Sequence, residues 1–148
     1  MTAWTQLESE AGHPAPNRGQ VSVSRLWFGV FGAPVAWSVQ TLVNYGLASY
    51  SCFPTLAPRA EPLYAGVWWI LLIVGLVALG IEIGAVQVSL VSWRRTRDER
   101  DGGRYHALDS GEGRTRFMAL AGIMSGVLIL LVSLVQVAAL FLVPPCGA

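Results

Sequence analysis

The chain has 148 residues, of which 53% are hydrophobic and 13% are charged, and its formal net charge is +1. Soluble domains carry about 25% charged residues, so this composition excludes an ordinary soluble globular domain. The small net charge provides no strong electrostatic field that would attract nucleic acid, and we expect no nucleic-acid partner.

The chain begins with a polar segment, and three apolar runs follow it. Residues 1–25 have no apolar periodicity and contain several glycines and prolines, which predicts a flexible cytoplasmic tail. Each apolar run exceeds the roughly 20 residues that a helix needs to cross the membrane. We therefore expect an all-α integral membrane protein whose membrane domain, residues 26–148, contains three transmembrane helices. The predicted helices cover about residues 26–50, 63–101 and 115–143.

The second predicted helix continues past its apolar run. Opposite charges recur there at four-residue spacing, which favours a helix up to Gly102 and Gly103, where glycine ends it. The pairs are Arg94 with Asp98, Arg95 with Glu99 and Arg97 with Asp101. Residues 94–116 form an arginine-rich loop, which sets the topology and binds anionic lipid, or alternatively serves as a docking surface.

The distribution of the basic residues predicts the orientation. All ten are arginines, and all but Arg59 lie before the first apolar run or between the second and the third. By the positive-inside rule these segments are cytoplasmic, so the N-terminus lies in the cytoplasm and the C-terminus outside. The expected location is the inner (plasma) membrane of a bacterium.

The two cysteines, Cys52 and Cys146, follow the first and the third helix and therefore emerge on the outer side. Disulfides persist in that compartment, so we expect a structural disulfide between them. Two alternatives remain open, namely two free thiols and a redox-active or copper-binding pair.

Small and polar residues recur on one stripe of each helix, as at helix–helix contacts in membranes. Matching depths predict two interhelical pairings of polar side chains, Asn44 with Gln136 and Glu82 with Gln40. The stripes are Ala33, Trp37, Gln40, Asn44 and Ala48; Gly75, Ala78, Glu82, Ala85 and Ser89; and Gly122, Ser125, Gly126, Ile129, Ser133 and Gln136.

Two GxxxG patterns occur, Gly80/Gly84 and Gly122/Gly126. Because the Gly80/Gly84 face lies nearly opposite Glu82, the second helix has two faces capable of close packing. One face suits the internal bundle, and the other suits a partner protein, which indicates a larger assembly.

Glu82 is the one ionisable side chain inside the second and third apolar runs. A charged carboxylate at that depth is costly, so Glu82 should be neutral, paired or beside water. Three interpretations stay open: a protonated carboxyl group hydrogen-bonded to Gln40 or a serine inside the bundle, a contact with a partner subunit's polar or basic group, and a proton-relay or substrate-binding acid.

Recognisable catalytic groups are missing from the sequence. The two histidines, His13 and His106, fall in the tail and the loop, so we expect no haem or copper centre of the chain's own. No nucleophile–base pattern and no phosphate-binding glycine loop is evident. We expect a protein that is not an enzyme and holds no cofactor or metal.

The segment Arg25–Gln40 contains a glycine, then Pro34-Val35-Ala36-Trp37 and a polar residue, and is followed by Tyr45 and Cys52. This opening resembles that of the small multi-helix membrane proteins encoded beside haem–copper (caa3-type) cytochrome oxidases in bacteria. The resemblance implies an accessory role beside a respiratory oxidase and carries over no catalytic residue. In this reading the region around Pro34 and Trp37 docks on partner helices.

The sequence thus favours a non-catalytic accessory subunit of a larger membrane complex, most of all a respiratory oxidase, with other membrane subunits as partners. One alternative is an oxidase assembly or copper-delivery factor that uses Cys52 and Cys146. A second alternative is an oligomeric proton-coupled transporter with Glu82 as the coupling acid.

Overall fold

The computed structural model describes residues 22–55, 59–95, 112–143 and Cys146, with the backbone alone at residues 112–114. Most of the predicted tail lies outside the described residues. The same holds for residues 96–111, on which the helical extension, its charge pairs and most of the arginine-rich loop fall.

Three helices account for nearly all of the described chain: α1, Val23–Cys52; α2, Val67–Arg95; and α3, Glu112–Leu142. All three are long and apolar enough to cross a membrane, and the described residues contain no strand. Each helix contacts the other two, so they form a three-helix bundle. The prediction of an all-helical, multi-pass membrane protein is confirmed to this extent.

The segment before α2 explains why that helix begins at Val67 and not near residue 63. The Leu63 amide donates to the Ser51 carbonyl at 3.1 Å, and the Arg59 amide donates to the Cys52 carbonyl at 3.0 Å. The last carbonyls of a helix have no partner within it. The connecting segment supplies those partners for α1. At the start of α2 the Val67 amide donates to the Tyr64 carbonyl, three residues earlier, at 3.2 Å, so this turn precedes the regular helix.

The three helices approach most closely where two glycines face one serine. A Cβ atom built on Gly122 would lie 2.6 Å from the Ser89 Oγ and 2.8 Å from the Gly29 carbonyl oxygen. A Cβ atom on Gly29 would meet the same Ser89 hydroxyl. Only glycine fits on α1 and α3 here, because any side chain would push the backbones apart.

Two further glycines fix the spacing of α2 relative to its neighbours. A Cβ on Gly75 would lie 2.8 Å from Val137 Cγ2 of α3, and a Cβ on Gly126 would lie 2.7 Å from Val86 Cγ2 of α2. The Gly122/Gly126 pattern is therefore used inside the bundle. The whole stripe around Glu82 on α2 is buried, as its spacing predicts.

The opposite end of the bundle is joined by three kinds of contact. The Trp68 Nε1 at the start of α2 donates to the Leu140 carbonyl at 3.0 Å, which satisfies an acceptor in the last turn of α3. The Trp68 ring also meets Phe141 edge to face at 5.3 Å. A disulfide joins Cys52 to Cys146, with their Cα atoms 5.4 Å apart. The ends of all three helices are thereby held together.

Pro34 lies inside α1, which continues through it from Val23 to Cys52. Proline has no N–H to donate to the carbonyl four residues earlier. One turn later the Ser38 hydroxyl donates to the Pro34 carbonyl at 2.8 Å. The helix thus passes the proline without a break in its helical course.

Candidate functional site

Glu82 lies at the centre of the bundle and is fully shielded from the surroundings, with a fractional exposure of 0%. Its Oε1 accepts a hydrogen bond of 2.7 Å from the hydroxyl of Ser133 on α3, which is equally buried. The second carboxyl oxygen, Oε2, has no hydrogen-bond partner among the described residues. One carboxyl oxygen of Glu82 is therefore hydrogen-bonded within the bundle, and the other is not.

The predicted pairing of Glu82 with Gln40 is wrong. Both the Oε1 and the Nε2 of Gln40 are buried without a partner, so no hydrogen bond joins this amide to the carboxyl group. Both residues are at similar depth, but depth alone does not determine which neighbouring helix a side chain meets. Rotation of α2 within the bundle directs Glu82 to α3, where Ser133 supplies the donor.

Gln40 occupies a different position, on the contact between α1 and α2. Its exposure is 1%, and its Nε2 would lie 3.6 Å from a Cβ built on Gly75. It also lines a groove of about 610 Å³ between these two helices. The amide group is therefore buried beneath the floor of the groove, and neither Oε1 nor Nε2 has a hydrogen-bond partner among the described residues.

The remainder of this groove, which we term the α1/α2 groove, is apolar. Its lining includes Val35 and Val39 from α1 and Val77 and Ile81 from α2. Trp27 and Phe31 also line it, and their rings stack with centroids 5.2 Å apart. An occupant must therefore be apolar along most of its length and polar where it meets Gln40.

A second set of unsatisfied groups involves α1 and α3. The Nε1 of Trp37, the Oγ1 of Thr41, the Oδ1 of Asn44 and the Oε1 of Gln136 are buried without partners. A bond between the two amide groups would need one of these carbonyl oxygens as acceptor, so the predicted pairing of Asn44 with Gln136 is also wrong. Similar depth does not bring two short side chains on neighbouring helices into contact.

The two glycine pairs differ in what surrounds them. No atom outside their own helix lies within 4 Å of a Cβ built on Gly80 or Gly84. Gly122 and Gly126, in contrast, are each in close contact with a neighbouring helix. The second packing face of α2 is therefore free of contact with the described part of the chain.

Sequence reasoning suggested a serine as one possible partner of Glu82 but did not identify Ser133, although Ser133 belongs to the predicted α3 stripe. It did not recognise Thr41 or the groove. The sequence did contain a signal for Ser133. The contact stripes of α2 and α3 each carry a polar residue near mid-membrane, Glu82 and Ser133. The groove had no such signal, because it arises from the gap between two helices and not from either sequence segment.

The sulfur atoms of Cys52 and Cys146 are bonded to each other, so in this state neither is a thiolate ligand. No group of three or more histidine, cysteine, aspartate or glutamate side chains lies together within the described ranges. His13 and His106 fall outside those ranges.

The chain matches no protein-family model, no curated protein and no solved structure.

Proposed function

We propose that this protein is a non-catalytic accessory subunit of a larger membrane complex, and that the α1/α2 groove binds a transmembrane helix of a partner subunit. The observation that carries the proposal is Gln40, which is buried beneath the groove floor with neither amide atom hydrogen-bonded to a described residue. In the bilayer core an unsatisfied polar group costs several kcal/mol, since no water is present to bond it. In this proposal the Gln40 side chain rotates towards the groove when a partner helix binds, and a polar side chain of that helix removes the cost.

The face of α2 that carries Gly80 and Gly84 is a second reason to place the partner helix on this surface. Gly84 lies one turn from Gly80 along α2, and Ile81 of the groove lies between them in sequence. Small residues let two helix backbones approach, which strengthens van der Waals contact in the membrane. A partner helix lying along Gly80 and the groove would use both features.

The kind of complex follows from the resemblance of the segment Arg25–Gln40 to small proteins encoded beside caa3-type cytochrome oxidases. In this proposal the partners are the core subunits of a respiratory oxidase, and the location is a bacterial inner membrane. The groove residues Val35, Val39 and Gln40 fall within or beside that segment. Pro34 and Trp37 lie on the same helix but do not line the groove.

The orientation belongs to the same proposal, with the start of α1 in the cytoplasm and the end of α3 outside. It follows from the arginine distribution. A C-terminal alkaline phosphatase fusion should be active, and a C-terminal green fluorescent protein fusion should be dark. The opposite pattern would reverse the orientation.

The interface is tested by purification in mild detergent of the chain carrying Gln40→Leu. This change removes an unsatisfied amide, so the isolated protein should be at least as stable as the wild type. Recovery of partner subunits should nevertheless fall, because the hydrogen bond to the partner is lost. The matched control is Gly46→Leu on the same helix, since no atom lies within 4 Å of a Cβ there and Gly46 is outside the groove.

Fixed-stoichiometry recovery of oxidase subunits with the wild type, lost with Gln40→Leu and kept with Gly46→Leu, is the expected result. Recovery of the wild type as a homo-oligomer alone would overturn the accessory-subunit proposal. Glu82→Gln distinguishes the transporter alternative: we expect growth and complex assembly to be unchanged by it. A growth defect with an intact complex would favour Glu82 as a coupling acid.

A further inference from the structure

A second, smaller pocket of about 330 Å³ lies between α1 and α2 where α1 begins and α2 ends. Arg25, in the first turns of α1, and Arg95, the last residue of α2, both line it. Phe28 lines both this pocket and the α1/α2 groove. We call this smaller pocket the two-arginine pocket.

Among the described residues, the mouth of the two-arginine pocket carries two positive charges and no acidic side chain. Both arginine side chains are exposed, and neither has an ion-pair partner among residues 22–55, 59–95 and 115–143. The positive end of the α1 dipole lies close to Arg25 and the negative end of the α2 dipole close to Arg95, so the charge of the mouth comes from the two guanidinium groups. Two guanidinium groups from two helices form charge-assisted hydrogen bonds with the oxygens of a phosphate group.

The pocket becomes apolar towards the middle of the bilayer. Val91, Val88 and Gly84 precede Arg95 along α2, and the rise from Arg95 to Gly84 is about 16 Å at 1.5 Å per residue. Gly84 has open space where a side chain would be. Gln87 adds a polar side chain to the wall, whereas the Ser92 hydroxyl already donates to the Val88 carbonyl.

A ligand for this pocket must therefore carry an anionic head and an apolar chain. We propose that the two-arginine pocket is a binding site for one anionic phospholipid of the adjacent leaflet. Its phosphate lies between Arg25 and Arg95, and an acyl chain runs along Val91 and Val88 to Gly84. This site is more specific than a general attraction of lipid to the arginine-rich loop, since it selects one lipid by position. Binding of this lipid requires no partner protein, and the site shares Phe28 and Gly84 with the surface proposed for the partner helix.

The test uses the purified full-length chain in mild detergent, incubated with phosphatidylglycerol or with phosphatidylcholine of the same acyl composition. Native mass spectrometry measures the lipid retained per chain. We expect one phosphatidylglycerol to be retained in preference to phosphatidylcholine. The variant Arg25→Gln/Arg95→Gln should bind it about tenfold more weakly, a factor that corresponds to 1.4 kcal/mol.

The matched control is Arg94→Gln/Arg116→Gln, which removes the same charge from the same end of the bundle but does not alter the pocket lining. It should retain phosphatidylglycerol as the wild type does. Equal losses in the two double variants would show diffuse attraction and overturn the site. So would equal retention of both lipids by the wild type.

A third variant tests the acyl-chain part of the site. Val91→Trp fills the apolar wall and leaves both arginines in place, so it should also reduce phosphatidylglycerol retention. Unchanged retention would mean that only the phosphate group is recognised, which would overturn a lipid seated in the pocket. Circular dichroism of each variant confirms that the helices are intact.

Discussion

Individual polar side chains inside the bundle differ in whether the chain itself satisfies them. Glu82 has one hydrogen bond from Ser133, whereas Gln40 has none for either amide atom. A buried polar group without a partner is unfavourable in hydrocarbon, and most native structures avoid it. The unsatisfied groups are therefore where we place contacts outside this chain, and the satisfied pair is assigned to the stability of the bundle.

Ser133→Ala tests the stabilising role of the Glu82 contact. Loss of the hydroxyl leaves both carboxyl oxygens without a protein donor, and we expect destabilisation of about 0.6–1.7 kcal/mol, the range for interhelical hydrogen bonds in membranes. Thermal unfolding of the purified protein in detergent measures the change.

Ser125→Ala on the same helix is the control for this prediction. The Ser125 hydroxyl donates to the Ala121 carbonyl within α3 and makes no interhelical bond. Ser125→Ala should destabilise the protein less than Ser133→Ala does. An equal cost would show that the interhelical bond to Glu82 contributes nothing of its own.

At the scale of the helices, α2 is the element on which the architecture depends. Its buried face meets α1 and α3 at Gly75 and Ser89, while its Gly80/Gly84 face meets no other part of the described chain. A helix in a membrane gains nothing from the hydrophobic effect when it leaves lipid, so close packing must hold the bundle. Glycine positions therefore distinguish internal contacts from a surface that is free for a partner.

Gly122→Ala should destabilise the bundle by about 1–3 kcal/mol, the usual cost of overpacking. The added methyl group would overlap the Ser89 hydroxyl and the Gly29 carbonyl, and the carbonyl belongs to the backbone and cannot move aside by rotating. The thermal midpoint in detergent is the measurement.

Gly46→Ala is the matched control, because nothing lies within 4 Å of a Cβ at that position. It should be neutral or slightly stabilising, since alanine favours the helix more than glycine does. A smaller effect of Gly122→Ala than of Gly46→Ala would contradict the tight crossing.

At the scale of the whole molecule, one end of the bundle is fastened covalently and by the Trp68 hydrogen bond. The disulfide joins residues 94 positions apart and connects the end of α1 to the segment after α3. A closed loop of this size stabilises a soluble protein by about 4 kcal/mol in the chain-entropy model. The bilayer already restricts the unfolded chain, so the gain here should be smaller.

The covalent link is tested by a protease site inserted between Gly102 and Gly103. Cleavage there separates Cys52 and Cys146 into two fragments, which the disulfide should hold together on a non-reducing gel. Addition of dithiothreitol should release them. Separation without reductant in wild-type protein taken from membranes would contradict the link, and a Cys52→Ser/Cys146→Ser variant provides the separated reference.

Much of this architecture can be predicted from the sequence alone. Hydropathy over long runs determines that three helices cross the membrane, because hydrocarbon accepts only a backbone whose hydrogen bonds are satisfied internally. Stripes of small residues predict the contact faces, as the burial of Gly75, Glu82 and Ser89 shows. The start of α2 was harder to predict, because the connecting segment donates backbone hydrogen bonds to the end of α1. Helix propensity does not account for such bonds.

The tertiary structure alone decided which polar groups meet and which surface remains open. Sequence spacing gives each residue a depth and a face, but the rotation and tilt of one helix against another depend on close contacts such as that of Gly29, Ser89 and Gly122. Those contacts direct Glu82 to Ser133 and leave Gln40 at the floor of a groove. Hydropathy alone predicts three helices long and apolar enough to span a membrane, whereas helix packing creates the groove and the pocket in which we propose that a partner helix and a lipid bind.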